Sequence, residues 1–338
     1  MKKNFWVIAL CVSLNIGSVC AQKIDAEVTA TDFKIDMFYP QYAWDFSGGP
    51  FMSLGEMLET ETMHQLVVVI DKKRYQYYNL KGLGNYVGRD LSSTLVLLSN
   101  ASRSLFAYSG VDNKIRIASS YEDMHTITEK QPAKALAMGN ASNRLAVSIL
   151  NEAGKNVIKI YEHDMSDVKL IKTLEGANDL SLTYLTFSEK DSKILATDGE
   201  SIIVWSVETG KEIGRHTLKS ELMMDKVREP IVAEDKNVLA YVKNQQTVVL
   251  IDLDKQTAEE KTFKTEKIAH DVCISADGKF LYLCDSGDFW KYDVASGRTI
   301  STININTPMT FCTFSPNGLF ALIVPFIGNE IKVVRLAW

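Results

Sequence analysis

A spacing of 40 residues recurs along the chain. VLLSNASRSLFAYSG (96–110) and LAMGNASNRLAVSIL (136–150) share an order of apolar run, Asn-Ala-Ser turn and apolar run, with Leu105 and Leu145 40 apart. CISADGKFLYLCDSG (273–287) and TFSPNGLFALIVPF (313–326) repeat at the same distance, aligning Ser275 with Ser315. Their turns, Asp277-Gly278 and Asn317-Gly318, are residue pairs that accept the positive φ of a tight hairpin. A further pattern follows these hairpins, as IIVWSVETGKEI (202–213), VVLIDLDKQTAEE (248–260) and FWKYDVASGRTI (289–300). Each is a strand, a polar residue and a turn that opens another strand, so one unit contains four short strands.

Self-similarity at this period marks a stacked or radial array of small units. LVVVI (66–70) and TVVLI (247–251) are apolar at nearly every position, where a one-sided sheet would alternate. Both faces of such strands must be covered, as they are when each sheet lies between two others. These features select an all-β β-propeller. Units fall at about 42–88, 92–128, 133–175, 180–217, 228–264 and 269–304, and a seventh begins at 309 and ends with EIKVVRLAW. The expected fold is therefore a seven-bladed propeller of four-stranded antiparallel blades, the first blade being the least regular, with six or eight as the other counts. The last unit lacks its outer strand. VTATDFKIDM (28–37) has no unit of its own, and is expected to supply that strand and close the ring, removing two exposed sheet edges.

The units at 180–336 resemble WD40-type and YVTN-type propeller repeats. Trp205-Ser206, Ile251-Asp252 and Tyr292-Asp293 stand where the Trp-Asp dipeptide ends the third strand of a WD40 repeat. Ser275-Ala276-Asp277-Gly278 and Ser315-Pro316-Asn317-Gly318 look like the hairpins of that family. The Gly-His dipeptide that opens a WD40 repeat is missing throughout, so its buried Asp–His–Ser/Thr–Trp network is not expected. The resemblance implies a fold and no particular partner, because fold does not imply function.

The chain opens MKKNFWVIALCVSLNIGSVCAQ, with Lys2 and Lys3 ahead of an apolar stretch from Phe5 to Leu14 and small residues up to Ala21. This pattern predicts a signal peptide over 1–21 and a single propeller domain over 22–338, exported to the periplasm or beyond. The alternative is acylation on Cys20, for which Val19 is a poor preceding residue. Losing two lysines moves the net charge from −5 to −7, with no basic patch suited to a phosphate backbone, so nucleic acid is not an expected partner. No later apolar run approaches the roughly 20 residues of a membrane span, and the protein is expected to be a monomer. Cys273, Cys284 and Cys312 remain, an odd number within apolar runs, and are expected to be buried thiols rather than a disulfide framework.

No catalytic, cofactor-binding or metal-binding residues are assigned. His64, His125, His163, His216 and His270 lack metal-ligand spacing, and no G-x-S-x-G elbow or G-x-G-x-x-G loop occurs. Asp252-Leu253-Asp254 has a calcium-like carboxylate spacing without the rest of an EF-hand loop, and reads as a strand end. KSELMMDKVREP (219–230) reads as a surface turn with one short helical face. The most distinctive segment is FYPQYAWDFSGGPFMSLGEML (38–58). Its Phe38, Tyr39, Tyr42, Trp44, Phe46 and Phe51 are candidate contact anchors, since aromatics bury much area at small entropic cost. The competing reading makes residues 42–46 the inner strand of the first unit. The expected function is an exported, non-catalytic platform binding another protein. A lactonase-like or other hydrolase using the central channel, and a glycan-binding module, are the alternatives.

Overall fold

The apolar runs form strands, and the strands assemble four at a time. The computed structural model describes residues 24–30, 41–44, 52–53, 56–57, 65–71, 74–79, 84–90, 95–99, 105–119, 122–177, 184–188, 190–218, 231–233, 236–244, 246–254, 260–265, 268–269, 271–285, 287–305, 309–314, 320–325, 331–336 and 338. Among these are seven antiparallel four-stranded sheets. Sheets 1 to 6 occupy residues 41–90, 95–128, 135–174, 184–217, 231–264 and 271–304, each from strands that follow one another along the chain. A two-stranded pair, Met52–Ser53 with Glu56–Met57, interrupts the first. Sheet 7 takes three strands from 309–336 and its fourth, Ile24–Ala30, from the other end of the sequence.

That fourth strand pairs antiparallel with Ile331–Leu336, Val28 opposite Val333. The expectation of an N-terminal strand on the last unit holds, but its placement at 28–37 needs correction. The strand starts at Ile24, and 31–37 lie outside the described residues. IDAEVTA is weakly apolar. What recruits it is the open edge of Ile331–Leu336, a row of backbone donors and acceptors that any extended segment can satisfy.

The two-sided burial expected of TVVLI is present. In strand Thr247–Asp252, Val248 and Leu250 pack with sheet 6, on a cluster that includes Leu281, Leu283 and Trp290. Val249 and Ile251 point the other way, into a cluster with Ile202 and Val204 of sheet 4. Strand Ser201–Ser206 repeats the division, its Ile203 and Trp205 meeting sheet 3. Alternate side chains of one strand thus serve two cores, each contributing about 1.5–3 kcal/mol when fully buried. Burial falls across sheet 3. The first strand of sheet 3, Ala135–Met138, is buried throughout, whereas the fourth, Val168–Leu174, exposes Lys169 to Ile171.

Polar joints align neighbouring sheets. At one end of the molecule the first hairpin of sheet 4 turns through Lys190 and Asp191, both with positive φ (55° and 65°). This sends the Asp191 carboxylate into the Asn-Ala-Ser turn of sheet 3. It accepts from the backbone N–H groups of Asn140 (2.9 Å), Ala141 (2.8 Å) and Ser142 (2.6 Å) and from the Ser142 hydroxyl (2.7 Å). Gly139 is needed there, because a Cβ would stand 2.6 Å from Asp191 Oδ2. A second joint joins fourth strands to the turns of the following sheet. Lys172 Nζ donates to the Glu208 carbonyl (2.6 Å) and Lys261 Nζ to that of Val294 (2.5 Å), while His125 Nε2 lies 2.6 Å from that of Asp164.

The cysteine expectation is half corrected. Cys284 and Cys312 form a disulfide between sheets 6 and 7, and Cys273 is a buried thiol outside it. Spacing could not show this pairing, because the partners sit 28 residues apart on different sheets and meet only when those sheets pack.

Candidate functional site

Of the aromatic candidates, Tyr42 and Trp44 lie on strand Gln41–Trp44, the first of sheet 1, opposite Val68 and Leu66. Phe38, Tyr39, Phe46 and Phe51 lie outside the described residues, as does 219–230. The strand agrees with the competing reading of residues 42–46 for its first three positions.

The polar residues singled out as possible ligands are engaged locally. Asp252 Oδ1 accepts from the Asp254 N–H (3.1 Å), and Asp254 binds Asn237 (3.0 Å) and Lys193. Asn237 in turn receives the Ser188 hydroxyl (3.2 Å), so the Asp-Leu-Asp motif is another joint between sheets 4 and 5. Asp293 caps its own turn, accepting from the Ser296 N–H (2.6 Å); the Ser296 hydroxyl first, and that N–H second, hold its carboxyl below the usual range. Trp205 is fully buried and donates from Nε1 to the Glu175 carbonyl (3.0 Å), pinning the connection between sheets 3 and 4. Buried Glu129 accepts from Lys159 (2.8 Å) and from the Tyr161 hydroxyl, across sheets 2 and 3. Burial first, and that bond second, push the Tyr161 phenol far up.

Three histidines are described. His125 and His163 face each other with ring centroids 6.4 Å apart, and no three-residue group of metal-ligating type occurs among the described residues. His216 is 5% exposed on the fourth strand of sheet 4, its Nε2 without a hydrogen bond among the described residues. Burial lowers its pKa below the ordinary 6.5. The unfolded chain therefore binds a proton that the folded chain refuses between those two values. Stability is full above about pH 6.5 and declines as pH falls below it, levelling at the folded pKa. Urea titrations from pH 8 to pH 5 should show this fall in the wild type and a flatter profile in His216→Gln. Equal slopes would remove His216 as the cause.

A groove of about 590 Å³ lies between sheets 3 and 4. Its walls are Arg144, Ile171 and Lys172 of sheet 3 and Lys190, Lys193 and Glu208 of sheet 4. Ile171 is there because the fourth strand bulges. Ile160 pairs with Lys172 and Tyr161 with Leu170, leaving Ile171 as the extra residue. The same irregularity isolates Ile213 in sheet 4 and Ile300 in sheet 6. These bulge residues are 40%, 48% and 52% exposed. A bulge turns one side chain out of the alternation, so a recurring apolar residue overhangs the edge of several sheets. The sequence reading missed this groove, since period-2 patterning gives no sign of an inserted residue. Among the described residues no helix is long and apolar enough to cross a membrane.

No family model matches the sequence, and no curated protein does. The chain is similar to a solved structure, the crystal structure of the Cps50 (Swd1) β-propeller domain of Myceliophteria thermophila. The TM-score is 0.61 at 9% identity, over 94% of this chain and 100% of that one. The fold is that of a β-propeller.

Proposed function

We infer that this β-propeller is an exported, non-catalytic platform that binds another protein, its seven sheets closed into a ring by the Ile24–Ala30 strand. The observation that carries the reading is where the buried carboxylates go. Asp191 and Glu129 spend their oxygens on joints between sheets, which makes a stiff scaffold and leaves recognition to loops and edges. Two features support export. One is the N-terminal pattern of Lys2, Lys3 and the apolar stretch to Leu14; the other is the Cys284–Cys312 disulfide, a bond that persists in oxidising compartments. The aromatic segment 38–51 is the proposed primary contact.

Tagged mature protein, used to capture partners from the envelope and culture fractions of its host, tests the reading by mass spectrometry. A stoichiometric protein partner is expected, lost when residues 38–40 and 46–51 are replaced by Gly-Ser segments of equal length with the strand Gln41–Trp44 kept. The platform reading fails if no fraction yields one.

A further inference from the structure

The geometry points to a second docking surface: the groove between sheets 3 and 4 takes an extended, acidic peptide segment of a partner protein. The proposal rests on the platform reading and adds the chemistry of one contact.

Charge singles this groove out. The chain carries a net charge of −5, yet Arg144, Lys172, Lys190 and Lys193 converge on one concavity. The acidic residues of the same wall do little to neutralise them. The Asp191 carboxylate is turned into the Asn140–Ser142 backbone, and Lys172 takes the carbonyl of Glu208 rather than its carboxylate. Lys193 is paired with Asp254, and Arg144 Nε has no hydrogen bond, with Glu162 Oε1 4.0 Å away. Lys172 and Lys190 have no carboxylate within ion-pair distance among the described residues. At the other two isoleucine bulges the position of Lys172 is held by an uncharged residue, Gly214 after Ile213 and Ser301 after Ile300.

Shape argues for an extended occupant. The fourth strand of sheet 3, Val168–Leu174, has one partner among the described residues, Asn156–His163, so its other edge is open along seven residues. Leu170 and Ile171 are 49% and 40% exposed there, with Lys169 and Lys172 beside them. A segment alternating carboxylate and apolar side chains matches that edge, its backbone lying along the strand and its carboxylates toward Lys172, Lys190 and Arg144. Opposed charges also speed encounter and reject basic competitors.

Fluorescence anisotropy with a labelled peptide of about ten alternating Glu and Leu residues, roughly 33 Å when extended, tests this on the mature protein. Saturable binding is expected, weakened at least about tenfold in the Glu→Gln peptide and in the exposed-site variant Lys172→Gln/Lys190→Glu. Lys130→Glu, in the exposed connection between sheets 2 and 3 where Lys130 pairs with Glu152, should leave it unchanged. Thermal midpoints within a degree or so of the wild type confirm that the variants fold. Equal binding of the Gln peptide, an equal loss in Lys130→Glu, or displacement by millimolar inorganic phosphate alone would overturn the proposal; the last would make the groove a simple anion site. Partner capture by wild-type protein that survives in Lys172→Gln/Lys190→Glu overturns the groove and leaves the platform standing, whereas absence of any captured partner strikes the platform reading itself.

Discussion

Asp191→Ala is expected to lower the thermal midpoint by roughly 5 °C, the largest effect expected of any polar substitution in the protein. The carboxylate is 2% exposed and accepts four hydrogen bonds from the Asn140–Ser142 turn of the neighbouring sheet. Bonds to a charged group contribute about 1.5–3 kcal/mol each, and losing the acceptor leaves partly buried backbone N–H groups unpaired. Such terms do not add fully, and about 3–4 kcal/mol is the expected total. Part of it comes from the backbone, since alanine resists the φ of 65° that Asp191 adopts. Asp191→Gly separates the two, keeping the turn and losing the bonds. Asp191→Asn keeps one acceptor and tolerates the turn, so it should cost about half as much. Circular dichroism melts of the three variants decide the matter. If all three lie within a degree or two of the wild type, the joint between sheets 3 and 4 does not govern stability.

Reduction of the Cys284–Cys312 disulfide is expected to cost a comparable amount. Loop closure over a separation of 28 residues is worth about 3–4 kcal/mol in the chain-entropy account. The bond also ties the first strand of sheet 7, Met309–Phe314, to sheet 6, at the opposite edge of sheet 7 from Ile24–Ala30. Its loss should therefore weaken sheet 7 first. Wild-type protein heated with reductant should melt roughly 5 °C lower, matching Cys284→Ser/Cys312→Ser, whose midpoint should ignore reductant. Cys273→Ala should respond to reductant as the wild type does. Alkylation of denatured, unreduced mature protein should then label Cys273 alone. Labelling of all three cysteines would remove the disulfide and the support it lends to export.

The recurrence of strand, hairpin and turn was legible because it follows from local chemistry. Asp277-Gly278 forms its hairpin with its own neighbours: Gly278 takes a φ of 72°, and Ser275 Oγ reaches both Asp277 (2.8 Å) and the Phe280 N–H (2.9 Å). TVVLI announced burial on both faces because neither alternate set of side chains could be left in water. The partner of a given side chain was not legible. Nothing near Asp191 in the sequence indicates that its acceptors face the turn 50 residues earlier, and nothing near Cys284 names Cys312 rather than Cys273. The Ile171 groove was hidden for a related reason. A bulge adds a residue to one strand without altering its composition, so only the pairing with Ile160 and Tyr161 exposes it.

The sequence by itself determined that the chain makes short, twice-buried strands, in units of about 40 residues, with hairpins where Gly, Asn and Asp permit them. Those properties depend on hydrophobic pattern and backbone sterics, which are written within a few residues of each position. Tertiary structure alone decided which sheets are stapled, where the disulfide lies, which lysines face one groove and which residues of the N-terminal segment complete sheet 7. Each of these depends on the register between sheets, and register is set by the simultaneous packing of side chains far apart in the chain.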